Sequence, residues 1–139
     1  MGQESKKIKR FREFLTSSGK IVLCGKNAEN NEELIKQVGK DEIVLHTKAS
    51  GSPFCNIKEN YKKITKKDIY EAGVFCSVYS QDWKHNHKDV EMHIFLGKDL
   101  YKEEGMKTGT FGVKKYEKII IKKQDIENFE NEIKGKKEK

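Results

Sequence analysis

The chain has 139 residues, 37% of them charged and 35% hydrophobic, with a formal net charge of +7. That length fits one domain, and a single core can hide roughly two-thirds of the unfolded surface without a metal or disulfide. No apolar run approaches the roughly 18 residues that cross a bilayer, and the opening MGQESKKIKRFREF lacks the apolar segment of a secretory signal.

The basic excess is not evenly spread. Residues 1–12 hold Lys6, Lys7, Lys9, Arg10 and Arg12 against Glu4, a net +4. Residues 134–139 add a net +3, and the 121 residues between are formally neutral. Within that body, KENYKKITKK (58–67) sets five lysines against Glu59. Charge segregated in this way suits a polyanion. It also suits solvated faces filled with lysine, and composition alone does not separate the two.

Residues 1–10 read as a basic arm. Phe11–Leu15 is a short apolar segment, and Thr16-Ser17-Ser18-Gly19 is a turn that Gly19 closes with positive φ. Ile21–Cys24 is continuously apolar and predicts a strand buried on both faces. Asn27 is suited to N-cap a helix over 28–38. Glu29, Glu32 and Glu33 favour its positive end, and Gly39 stops it. Glu42–Thr47 is the next strand. It empties into a small-residue loop with His46, Lys48, Ser50, Gly51 and Ser52, where a backbone can approach a phosphate closely. Pro53 is the only proline, placed for a strand entry over Phe54–Lys58.

Residues 65–79 predict a second helix, with Ile69, Ala72, Gly73, Phe75 and Cys76 on one face. SQDWKHNHKD (80–89) reads as a loop. Val90–Leu96 alternates as a strand. Gly97–Thr108 reads as a loop, and 110–114 with 118–122 as a hairpin. A last helix is expected over 124–133, with Ile126, Phe129 and Ile133 inward. The fold class is α+β: a single domain with a mainly antiparallel sheet of five to seven strands and two or three helices. Its bounds are 11–133, between the basic arm and a basic tail at 134–139.

Several constellations are weak as sites. His85, His87 and His93 sit among lysines without a carboxylate pair or cysteine at ligand spacing, so no metal is expected. Cys24, Cys55 and Cys76 lie in apolar contexts and read as three buried thiols in a reducing, cytoplasmic setting. Gly105, Gly109 and Gly112 lack the strand–helix frame of a dinucleotide fingerprint. Trp83 beside Lys84 could stack on a base. Equally, its indole could fold back onto the core, which is the more ordinary fate of a single aromatic.

Four strings carry a family resemblance. FREFLTSSGKIVLCGKNAENNEEL contains an aromatic, a Ser-Ser-Gly turn and a Gly-Lys-Asn-Ala-x-x-Asn-Glu signature. DEIVLHTKASGSPFCNIK, KKDIYEAGVFCSVYSQDWK and VEMHIFLGKDLYKEEGMKTGTFGVKKYEKIIIK follow in order. Together they span 11–122 and resemble the NFACT-R family, the RNA-binding C-terminal module of ribosome quality control factors of NEMF and RqcH type. Asn27 replaces the family's usual Asp, and Lys48 stands where Asp is common. The resemblance covers that module only and does not carry over the tail synthesis of the full-length factors.

The resemblance implies a non-catalytic module that binds tRNA or ribosomal RNA, with the large ribosomal subunit as a partner and no cofactor. Lys26, Lys48, Lys58, Lys62, Lys63, Lys84 and Lys102 are the expected phosphate contacts. His46, Ser50, Gly51, Ser52, Ser80 and Trp83 are the expected groove lining. Two alternatives remain at this point: a protein–protein adaptor, and a small enzyme using His46 as acid or base.

Overall fold

Alternating side chains give the sheet two apolar faces, and each is covered by different elements. The computed structural model describes residues 10–138. The expected arm at 1–10 therefore lies, but for Arg10, outside the described residues.

Six strands form the main sheet: β1 (Arg12–Leu15), β2 (Ile21–Cys24), β3 (Glu42–Thr47), β4 (Cys55–Asn60), β5 (Val90–Leu96) and β8 (Glu117–Ile121). Their order is β1-β2-β4-β3-β5-β8, and every neighbouring pair is antiparallel. Two short strands, β6 (Leu100–Tyr101) and β7 (Gly112–Val113), make a separate ribbon. Four helices complete the fold: α1 (Ala28–Lys36), α2 (Lys66–Val78), α3 (Gln81–Asn86) and α4 (Lys123–Glu138). The architecture is α+β, as the sequence led us to expect.

On one face Val22, Leu45, Ile57, Met92 and Ile121 pack with Phe75, Trp83 and Ile126 from α2, α3 and α4. On the other Val44, Phe54 and Phe95 pack under Leu34 of α1 and against Leu100, Phe111 and Val113. α2 is buried continuously from Ala72 to Val78, more than one stripe would require. Gly73 lets it sit close to the sheet, since a Cβ there would stand 2.6 Å from Ile121 Cδ1.

The turn between β1 and β2 is pinned to α2. Ser17 donates from its backbone and hydroxyl to Glu71 at 2.7 and 2.8 Å, and Ser18 donates to Asp68 at 2.6 Å. Asp68 also closes a capping box with Thr65.

Several expectations are corrected. Residues 81–86 are helical rather than loop, because Ser80 Oγ accepts from Trp83 N as an N-cap. The hairpin expected across 110–122 does not form. β7 pairs with β6 and β8 pairs with β5, because Phe111 and Val113 pack on the α1 face while Ile121 packs on the α2 face. Ile21 is 45% exposed while Val22 and Cys24 are buried, so β2 is covered fully on one side only. α4 runs on to Glu138, so residues 134–138 continue a helix.

Cys24 and Cys55 are not two thiols. The register sets them directly opposite, and they form a disulfide. Cys76 is the free cysteine, and burial pushes its thiol far up. The cysteines thus give no support to a reducing compartment. Among the described residues no helix is long and apolar enough to cross a membrane.

Burial pushes the Asp68 carboxyl up, but hydrogen bonds from Ser18, Thr65 and Thr16 together outweigh it and hold it down at about 2. Its contribution to stability is therefore complete above the ordinary value of 3.8 and is lost as pH falls through about 2. Urea unfolding should show the wild type losing about 2 kcal/mol more than Asp68→Asn across that interval. Parallel pH profiles for the two proteins would contradict this.

Candidate functional site

Two clefts meet at Gly51. The larger, about 380 Å³, opens on the α1 face of the sheet. His46, His93 and Phe95 form its floor, Phe54, Phe111 and Tyr116 its walls, and Lys48, Ser50 and Gly51 one rim. The smaller, about 60 Å³, lies across Gly51 and is lined by Arg12, Lys26, Tyr79 and Lys84. Gly51 has φ +83, open to glycine at little cost. Arg12 lies 4.1 Å over the Tyr79 ring and donates to Gly25 O at 2.9 Å.

The β3–β4 loop is held from both sides. From α3, Asp82 accepts from Ala49 N at 3.2 Å and from Ser52 Oγ at 3.3 Å, and Gln81 N donates to Ser52 Oγ at 3.0 Å. From α1, buried Asn31 accepts from Phe54 N at 3.2 Å and donates to Ser52 O at 3.4 Å. Two main-chain groups of the loop are thereby satisfied without water.

The opposite wall hangs on the next residue of α1. Glu32 accepts from Lys102 Nζ and from Gly109 N, both at 2.7 Å. Lys102 Nζ also donates to Lys107 O at 2.6 Å and Thr110 O at 2.7 Å, and sits 4.6 Å above the Phe111 ring. The Lys102 hydrogen bond, then that of Gly109, holds the Glu32 carboxyl below its usual value.

The larger cleft is aromatic and carries little charge. His46 stacks on Phe54 at 4.0 Å, Phe111 meets Phe54 edge-on at 5.4 Å, and Tyr116 stacks on His93 at 4.3 Å. Burial of the His46 ring brings it down to about 4, against the opposing pull of a hydrogen bond with the Ser52 backbone and the charge of Asp82. His46 is therefore neutral at physiological pH. His93 Nε2 lies 2.8 Å from Glu91 Oε2. Among the described residues no carboxylate lines the cleft itself, and Glu91 stands behind His93.

The structure gathers some of the sequence candidates and separates others. His46, Lys48, Ser50 and Gly51 share the larger cleft, and Lys26, Gly51 and Lys84 the smaller. Ser52, Ser80 and Trp83 stand behind them as framework. Trp83 is 1% exposed, its ring lies 3.8 Å from His87, and its Nε1 donates to Glu130 at 3.4 Å. It lines no groove, and the expectation that it would is corrected. Its indole belongs to the α2-side core, where burial of so large an apolar surface is favourable.

Lys102 is likewise not a rim cation, since its three donors are taken by protein oxygens. Lys58 pairs with Glu42 at 2.7 Å. Lys62 and Lys63 follow β4, whose Asn60 pairs with Glu42 at the far end of β3 from His46, about 13 Å along the strand.

Sequence reasoning missed Asn31, Glu32, Phe54, Phe111, Tyr116 and Arg12. The first two stand in the quoted Asn-Glu string, and this was the available signal. The rings come from segments distant in sequence, and nothing local links them. Among the described residues Cys24, Cys55 and Cys76 cluster with sulfurs within 4.8 Å of one another, but Cys24 and Cys55 are tied in the disulfide and offer no thiolate. The histidines form no such cluster.

Residues 10–115 match the family model described as the NFACT protein RNA binding domain. The chain is 28% identical to the archaeal Rqc2 homolog aRqcH of Methanocaldococcus jannaschii over an alignment of 123 positions, 81% of this chain. It spans only 18% of that protein's length. The fold is similar to the C-terminal part of the fibronectin/fibrinogen-binding protein from Streptococcus suis, with a TM-score of 0.74, 22% identity, 88% of this chain and 49% of that one covered.

Gly109 tests the wall that Glu32 holds. It has φ +82, and an added Cβ would stand 2.8 Å from Ala28 Cα and 3.0 Å from Ala28 O. Gly105 has φ +92 with open space around it. By urea unfolding, Gly105→Ala should cost about 1 kcal/mol from backbone strain alone. Gly109→Ala should cost roughly 2–4 kcal/mol from strain plus overpacking. Equal losses would mean that α1 yields freely.

Proposed function

The chain belongs to the family of NFACT protein RNA binding domains, and from that premise we propose an RNA-binding module without catalysis of its own, acting in translation or ribosome-associated quality control. One observation carries this most directly. Lys48 of the β3–β4 loop stands on one side of Gly51, and Lys26 before α1 and Lys84 of α3 on the other. Three cations around a glycine that admits close approach suit a phosphate backbone. Arg12 is turned onto Tyr79 and Gly25 and acts by shaping the loop.

The substrate class is tRNA or ribosomal RNA, and the partner is the large ribosomal subunit, in the cytoplasm. The similarity to an Rqc2 homolog supports this choice. Binding would follow shape rather than sequence, since phosphate contacts carry little base information. Ser50 and Gly51 would let the strand lie close, and Lys62 and Lys63 would meet a second, distant stretch of the same RNA. Two observations speak against the alternative of an enzyme built on His46. Burial holds the ring down at about 4, far from the pKa of a working base at neutral pH, and Asp82 is committed to Ala49 and Ser52.

Fluorescence anisotropy with tRNA over a salt series tests the proposal. Four or five neutralised phosphates give a log–log slope of about −3 to −4.5. Lys26→Glu, Lys48→Glu and Lys84→Glu should each weaken binding and flatten the slope by about 1. Lys102→Gln should instead lower the unfolding midpoint. A slope near zero, or no binding at low salt, would falsify the proposal.

A further inference from the structure

Phosphate contacts need cations and donors at an open rim, yet the larger cleft offers flat rings. Its 380 Å³ falls in the range of small-molecule sites, which are mostly apolar with a few placed polar groups. Phe111 and Tyr116 come from opposite ends of one segment and flank the mouth, and Tyr116 is 48% exposed. Phe111 is pre-positioned, because Lys102 over its face is itself tied to Glu32 and two loop carbonyls. The wall does not have to be ordered by a ligand, which removes part of the entropic cost of binding.

The polar groups are few and specific. His46 gives one ring nitrogen to the Ser52 backbone. The ring borders the cleft. A neutral imidazole in that state presents an acceptor. Lys48 and Ser50 stand at the rim, where a phosphate attached to an inserted group would lie.

We propose that this cleft takes a single base of the bound RNA, unstacked from its neighbours and packed against Phe111 and Tyr116, with its phosphate at Lys48. His46 accepts a hydrogen bond from the exocyclic amine of that base, so adenine or cytosine is preferred over uracil. The lining chemistry favours this occupant: a flat base carrying an exocyclic amine and a phosphate matches rings, an acceptor and a rim cation together. Stacking of this kind tolerates many sequences and adds to phosphate binding rather than replacing it. The inference rests on the RNA-binding reading above.

The test compares single-stranded twelve-nucleotide probes: oligo(A), oligo(C), oligo(U) and an abasic ribose-phosphate strand of equal length. Oligo(A) and oligo(C) should bind about tenfold or more tighter than the abasic strand, with oligo(U) between. Phe111→Ala should bring oligo(A) to the abasic level while leaving abasic binding unchanged. Equal affinity of the wild type for oligo(A) and abasic strands would overturn the base site and leave the RNA-binding reading standing. No binding of any probe would remove both. Should Phe111→Ala fail to fold, 5′-AMP titrated into ¹⁵N-labelled wild type decides. Amide shifts at Gly51, Thr110 and Phe111 are expected, and shifts confined to other faces would overturn the site.

Discussion

Two consecutive side chains of α1 fix the distance between the walls of the cleft. Asn31 satisfies the main chain at Ser52 and Phe54, and Glu32 holds Lys102 and Gly109. Neighbouring residues on a helix point about 100° apart, so one turn can reach both sides of a groove. The helix must also sit close. Gly25 leaves room for the Asn31 amide, and Gly109 for the Ala28 backbone. Phe54 and Phe111 are placed relative to these two residues. Asn27 starts the helix in register by accepting from Asn30 N at 2.8 Å.

Much of the fold was legible because local signals agreed with the tertiary result. Asn27 and Thr65 cap their helices, and Val90–Leu96 alternates as a half-buried strand should. The failures have physical causes. The segment 81–86 is one short polar helix whose stability comes from what it touches: Ser52 and Ala49 through Gln81 and Asp82, the core through Trp83. Periodicity does not reveal so short a helix. The 110–122 segment has strand-like residues in both halves, but the two halves serve opposite faces of the sheet. Only the packing distinguishes that from a hairpin.

The site was half legible for a related reason. A glycine- and serine-bearing strand exit beside His46 is a local pattern, and the structure sets that loop between the two clefts. Lysines carry no such information. Lys48 and Lys102 look alike in sequence, yet one stands at the rim and the other is an internal fastening beside a carboxylate 70 positions away. Formal neutrality of the body was also uninformative. Acids such as Glu32, Glu42 and Asp82 are consumed by internal bonds, which leaves cations to dominate locally around a loop whose net charge is small.

The two strands that floor the cleft, β3 and β5, are both interior strands of the sheet, paired on either side. Their amides are held in ladders on both sides, whereas the 102–111 wall hangs between the short β6 and β7 strands and is fastened by Glu32 to Lys102 Nζ and Gly109 N. Local stability is therefore steeply graded across a single pocket. The gradient places the slowest-exchanging amides in the floor and faster ones in the wall. Adaptation to different partners can proceed at wall positions outside the Glu32–Lys102–Gly109 fastening while the scaffold beneath stays the same.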